Sequence, residues 1–152
     1  MGSTGSMREL DRTSSLGAVR ALTWAVAALA VGSAVIHLAV VREHLEEYWL
    51  FGWFFAGVGV AQIAWAVAVQ RPRRWVLWAG VVGNILLAML WTVSRTRGIP
   101  IGPEPWHPEA VGFWDSMSTV MELLTALGAG ILLRMGAPAI RATRAVTARD
   151  GR

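Results

Sequence analysis

The chain of 152 residues contains no cysteine. Disulfides, thiolate metal sites, iron–sulfur clusters and cysteine nucleophiles are therefore excluded. It also lacks lysine: all 14 basic residues are arginine, a bias that fits a high-GC genome and carries no mechanism. Phosphate-binding loops, serine triads and dinucleotide fingerprints are missing too. Charge as a whole is scarce, at 16% of residues where a soluble domain carries about 25%. What fills the chain instead is apolar: 55% hydrophobic residues and a mean hydropathy of +0.47. The formal charge of +4 and pI near 11.2 do not point to nucleic acid, because the arginines sit in short clusters beside apolar runs. That is the footprint of membrane topology. A lipid bilayer is the expected surrounding, with no nucleic-acid partner.

A helix needs about 20 apolar residues to cross the hydrocarbon core. Four runs qualify: Ala21–Val41, Tyr48–Val69, Trp75–Ser94 and Ser116–Met135. Ala28-Leu29-Ala30 has the form of a signal-peptide cleavage site, but apolar character continues to Val41, so a retained span is expected. The opening MGSTGSM reads as a low-complexity leader, with Met7 a candidate natural start. Eleven arginines fall at the N-terminal side (Arg8, Arg12, Arg20), in the second loop (Arg71, Arg73, Arg74) and at the C-terminal end (Arg134, Arg141, Arg144, Arg149, Arg152). Only Arg42, Arg95 and Arg97 occupy the other two loops. Positive charge stays inside. The expectation is an all-α, up-down-up-down bundle over 21–135 in a bacterial plasma membrane, with cytoplasmic tails at 1–20 and 136–152. Glycines at 52, 57, 59, 80 and 83 are expected to let helices approach closely.

With that orientation all three histidines and seven of the ten acids fall on the outer side. His37 and Glu122 lie inside spans, where an ionisable group costs roughly 2.5–3.5 kcal/mol and usually faces the bundle interior. His37 and His44 are seven residues apart, and Asp115, Ser118, Thr119, Glu122 and Thr125 recur at steps of three and four. Both patterns are helical stripes. The candidate ligand or metal set is His37, His44, Asp115, Glu122 and His107, supported by Glu47, Glu104, Asn84, Gln62 and Ser118. Each also has a structural reading, as a satisfied core histidine, a protonated carboxyl bonding its neighbour or a solvated helix end. The connection after the third span runs to about twenty residues, against 2–8 usual between bundle helices. Prolines at 100, 103, 105 and 108 stiffen it, and Ile99, Ile101, Trp106, Val111, Phe113 and Trp114 give it apolar contacts. An ordered outer loop is expected, carrying Glu104, His107 and Glu109 over the mouth of the bundle.

Imidazoles and carboxylates without thiols suit a divalent metal such as zinc, copper or iron. His44-x-x-Glu47 reverses the order found in di-iron bundles, and Glu104-x-x-His107 lies among prolines, so a di-iron centre is weakly supported. Haem lacks a second intramembrane histidine. The run SRTRGIPIGPEPWHPEAVGFWD and the turn HLAVVREHLEEYWLFG resemble a group of small four-span integral membrane proteins from high-GC Gram-positive bacteria. The resemblance covers most of residues 33–134, with Ser94–Pro103 its most specific part, and implies the four-span fold and no reaction. Two functions remain open: an extracytoplasmic-side site binding a divalent metal or small ligand, and a non-catalytic accessory subunit docking a membrane-protein partner. Transport is a weaker third, requiring a homo-oligomer.

Overall fold

The computed structural model describes the backbone of residues 3–150 and the side chains of residues 15–135. The apolar runs form α1 (Ser3–Ala39), α3 (Trp49–Ala68), α4 (Arg74–Thr96) and α5 (Phe113–Asp150), with a short α2 (Val41–Glu47) after the first. Among the described residues four segments are long and apolar enough to cross a membrane: Ser15–Ala39, Trp49–Ala68, Arg74–Thr96 and Phe113–Met135. The chain is a multi-pass, all-α membrane protein. The expected tail arginines Arg8, Arg12, Arg141, Arg144, Arg149 and Arg152 have side chains outside the described residues. Large apolar side chains cover the outward faces, with Val60, Val67, Met89 and Leu127 each more than half exposed. In water such a surface would associate; in lipid it is the solvated one. Exposed tryptophans ring both ends, Trp24, Trp75 and Trp78 near the α3–α4 turn and Trp49, Trp53, Trp106 and Trp114 near the α4–α5 loop. Amphipathic indoles collect at membrane–water interfaces.

The two halves of the bundle differ in kind. Toward the α3–α4 turn the core is apolar and tightly packed: Val26, Ala30, Val69, Val76, Leu77, Ala129 and Leu132 are buried together. Toward the α4–α5 loop, which we call the loop end, the buried residues are polar. Ser33, His37, Gln62, Ser118, Thr119, Glu122 and Thr125 are all less than one-tenth exposed.

Consecutive helices joined by a short turn are expected to pack along their length. α1 packs on α5 and α3, and α4 packs on α5, but α3 and α4 meet only near their turn. There the Trp65 indole N–H donates to the Val76 carbonyl at 2.8 Å, and its ring lies on Gly80, where a Cβ would collide with it. Beyond this pin the helices take different partners. α3 leans on α1 and α2, where Gly59 receives Leu38 and Gly52 receives Leu45. α4 is drawn to α5. The result is a wedge-shaped gap that widens toward the loop end. Of the glycines expected to allow close approach, 52, 59 and 80 do so, whereas Gly57 and Gly83 face open space.

The chain departs from helix at Val40 (φ −91°, ψ −1°). The His44 amide nevertheless still donates to the Val40 carbonyl at 3.1 Å, so α2 nearly continues α1. The α4–α5 loop is ordered by backbone bonds, from Trp106 N–H to Ile99 O at 2.9 Å and from Glu109 N–H to Ser94 O at 3.1 Å. Gly98 (φ 72°) permits the reversal that brings these strands of loop together. Only part of the loop packs down. Ile99 is half-buried, while Trp106, Val111, Phe113 and Trp114 remain about two-thirds exposed, at the depth where aromatic side chains meet the interface.

The Trp65–Gly80 pin yields a paired test. Gly80→Ala is expected to lower stability by about 1–3 kcal/mol through overpacking, and Gly83→Ala to leave it within about 0.5 kcal/mol. Unfolding of the two purified variants in mixed micelles measures the difference.

Candidate functional site: a cavity over a buried His–Glu pair

α1 and α5 run antiparallel, and each presents two polar residues four apart to the other: Ser33 and His37, Ser118 and Glu122. Such spacing places both on one helix face. The four close into a quartet. His37 Nε2–H donates to Glu122 Oε1 at 2.8 Å, and Ser33 and Ser118 share a hydroxyl bond of 2.8 Å. The Ser33 hydroxyl also donates to Glu122 Oε1 at 3.3 Å, and Ser118 Oγ lies 3.3 Å from His37 Nε2. Gln62 enters from α3, its amide donating to Ser33 Oγ at 3.1 Å and to Glu122 Oε1 at 3.4 Å. Three donors thus converge on one carboxylate oxygen that is almost wholly buried, with Glu122 only 2% exposed. In hydrocarbon an unsatisfied carboxylate oxygen is costly; for Oε1 the neighbouring helices supply what water would.

Above this floor lies a cavity of about 720 Å³. Its walls are α3 (Leu50, Phe51, Phe54, Phe55), α4 (Leu87, Leu90, Trp91) and the loop segment Ile99–Ile101. The cavity lies between α3 and α4, at the end where the two helices do not pack on each other. Phe55 stands between the two imidazoles, its ring centre 5.5 Å from that of His37 and 4.3 Å from that of His44. The His44 Nδ1–H donates to the Val40 carbonyl at 2.9 Å, which leaves Nε2 as the free nitrogen.

A second cluster closes the loop end. Arg95 places Nε and Nη2 on Asp115 Oδ2 at 3.1 and 2.7 Å, and Nη1 on Glu109 at 2.8 Å and Ser94 Oγ at 3.0 Å. The Trp91 indole adds a fifth bond to this clasp, on Asp115 at 3.0 Å. The clasp joins α4, the loop and the start of α5, and so pulls α4 away from α3.

The candidate residues therefore divide. His37, Glu122 and Ser118 are in contact, with Gln62 beneath them. His44, Glu47 and Asp115 line the same cavity, but Asp115 is engaged by Arg95. Glu104 and His107 line a separate hollow of about 190 Å³ with Glu47, Phe51 and Glu109. Asn84 is buried elsewhere on α4, bonding the Gly80 carbonyl at 2.7 Å with its Oδ1 unpaired. Among the described residues no group of three or more His, Asp or Glu side chains is placed to hold one metal ion. Arg95, read in the sequence only as a loop charge, and Trp91, one turn before it, are central to the geometry. Their four-residue spacing on α4 was the available signal.

No protein-family model, curated protein or solved structure matches the chain.

If the quartet holds α1 to α5, its members are energetically coupled. A double-mutant cycle on His37→Ala and Glu122→Ala is expected to give a coupling of about 1–2 kcal/mol. The same cycle on Glu46→Ala and Glu122→Ala is expected to give none, since Glu46 pairs only with exposed Arg42.

Proposed function

We propose that the chain is a plasma-membrane protein that binds a small ligand in its loop-end cavity, over the His37–Glu122 pair. The observation that carries the reading is the convergence of one fixed polar floor and an aromatic, mostly apolar wall on a space of about 720 Å³. Ligand sites are of this size and composition, apolar with a few placed polar groups. The split of eleven arginines to three supports placing the loop end outside and both termini in the cytoplasm. Zinc, copper or iron is the less favoured ligand, because the Phe55 ring packs against both imidazoles and Asp115 is committed to Arg95.

Mass spectrometry of the chain released from native membranes tests the reading. A small molecule bound at one per chain is expected, lost in Leu87→Trp, which fills the cavity. A ligand-free chain that co-purifies with another membrane protein would instead support the accessory-subunit role. A reporter fused after Arg152 is expected to signal from the cytoplasm; an external signal would reverse the site's orientation.

A further inference from the structure

The cavity walls differ in what they have left to offer a ligand. Arg95 is the one guanidinium among the lining residues, and all three of its nitrogens are engaged by Asp115, Glu109 and Ser94. The Trp91 indole donates to Asp115, and the Ser94 and Thr119 hydroxyls donate to carbonyls of their own helices. The side-chain donors nearest the floor are therefore occupied, while the Trp114 indole N–H, at the exposed edge, has no partner among the described residues. Acceptors are left open. Glu122 Oε2 takes no hydrogen bond from the described residues, although all the donors to Glu122 crowd onto Oε1. Glu43 and Glu47 line the rim on α2 and form no ion pair among the described residues. His44 keeps its Nε2 lone pair free because Nδ1–H is bound to Val40. In all, five carboxylates face this space against one guanidinium.

We propose that the ligand is an amphipathic organic cation, a protonated amine on an apolar body. This rests on the reading above that the cavity binds a small ligand. The ammonium head donates to Glu122 Oε2 at the floor, under a wall that carries Phe51, Phe54 and Phe55. Aromatic faces attract cations, more strongly where water is excluded. The apolar body lies in the α3–α4 gap, between Leu50 and Leu90, in contact with the lipid from which it enters. An anionic head would meet unpaired carboxylates, and a neutral acceptor would find no free donor at the floor beside Glu122.

Binding of three probes that share a naphthylethyl body to the purified chain in phosphatidylcholine nanodiscs tests this: 2-(2-naphthyl)ethylamine, 2-(2-naphthyl)ethanol and 3-(2-naphthyl)propionate, by calorimetry at neutral pH. The amine is expected to bind at least about tenfold more tightly than the alcohol, the gain typical of a hydrogen bond to a charged group. The carboxylate is expected not to bind. Glu122→Gln should bring the amine down to the alcohol's affinity. Because that change also touches the quartet, the rim pair Glu43→Gln/Glu47→Gln supplies a second reading. It should weaken the amine several-fold and leave the alcohol unchanged. Repeating the titration with phosphatidylethanolamine in the disc separates two sources of the ammonium: a lipid headgroup competes with the probe, a free amine does not. Alcohol or carboxylate binding as tightly as the amine overturns the cation assignment and leaves a ligand site. Binding of none of the three overturns both.

Discussion

One buried carboxylate organises the loop-end half of this bundle. Glu122 sits within a membrane-spanning helix, where hydrocarbon offers nothing to its oxygens. A group of that kind is retained only with partners on adjacent helices. Its requirement explains why Ser33, His37 and Gln62 stand where aliphatic residues would otherwise pack. It also fixes how α1 meets α5, since the quartet forms only when the two four-residue pairs lie level. The apolar half near the α3–α4 turn has no such demand and packs through alanine, valine and glycine.

The cavity is a consequence of divided allegiance. α3 is held to α1 and α2 by close contacts at Gly59 and Gly52, and by Gln62 reaching the quartet. α4 is held to α5 by Arg95 and Trp91 on Asp115. Between them the bridge is near the turn, where Trp65 bonds Val76 and Ala66 shares a buried cluster with Val76 and Leu77. A gap held open on both sides is a built feature, distinct from the loose packing that a missing side chain leaves. It sets a polar floor within reach of molecules dissolved in the membrane, and the α4–α5 loop covers the aqueous end with Ile99–Ile101 and Glu109.

Much of this was legible in the residues. Span number and position followed from apolar length, to within a few residues for α3 and α4, because hydrocarbon thickness sets a strict requirement. The inward stripe of α5 was readable from its period, and with it the meeting of Glu122 and His37. The role of Asp115 was not. Its spacing grouped it with the histidines, but a guanidinium twenty residues earlier offered two charge-assisted bonds that no single-helix periodicity displays. The separation of α3 from α4 was equally hidden, since a short turn implies contact and only the competing contacts of each helix undo it. The loop's tryptophans illustrate the same limit: an apolar residue in a membrane protein has two stable destinations, the bundle and the interface.

The central claim is that α3 and α4 diverge toward the loop end and so open the cavity to the bilayer. The absence of native cysteine lets paired spin labels be placed without background. Exposed positions at matched distances from the turn are Val67 with Trp75 and Trp53 with Met89. Double electron–electron resonance on cysteine pairs at these sites in nanodiscs measures the splay directly. The account predicts a clearly longer separation for the Trp53/Met89 pair than for the Val67/Trp75 pair. Equal separations would describe a closed bundle with no cavity between α3 and α4, and would contradict it.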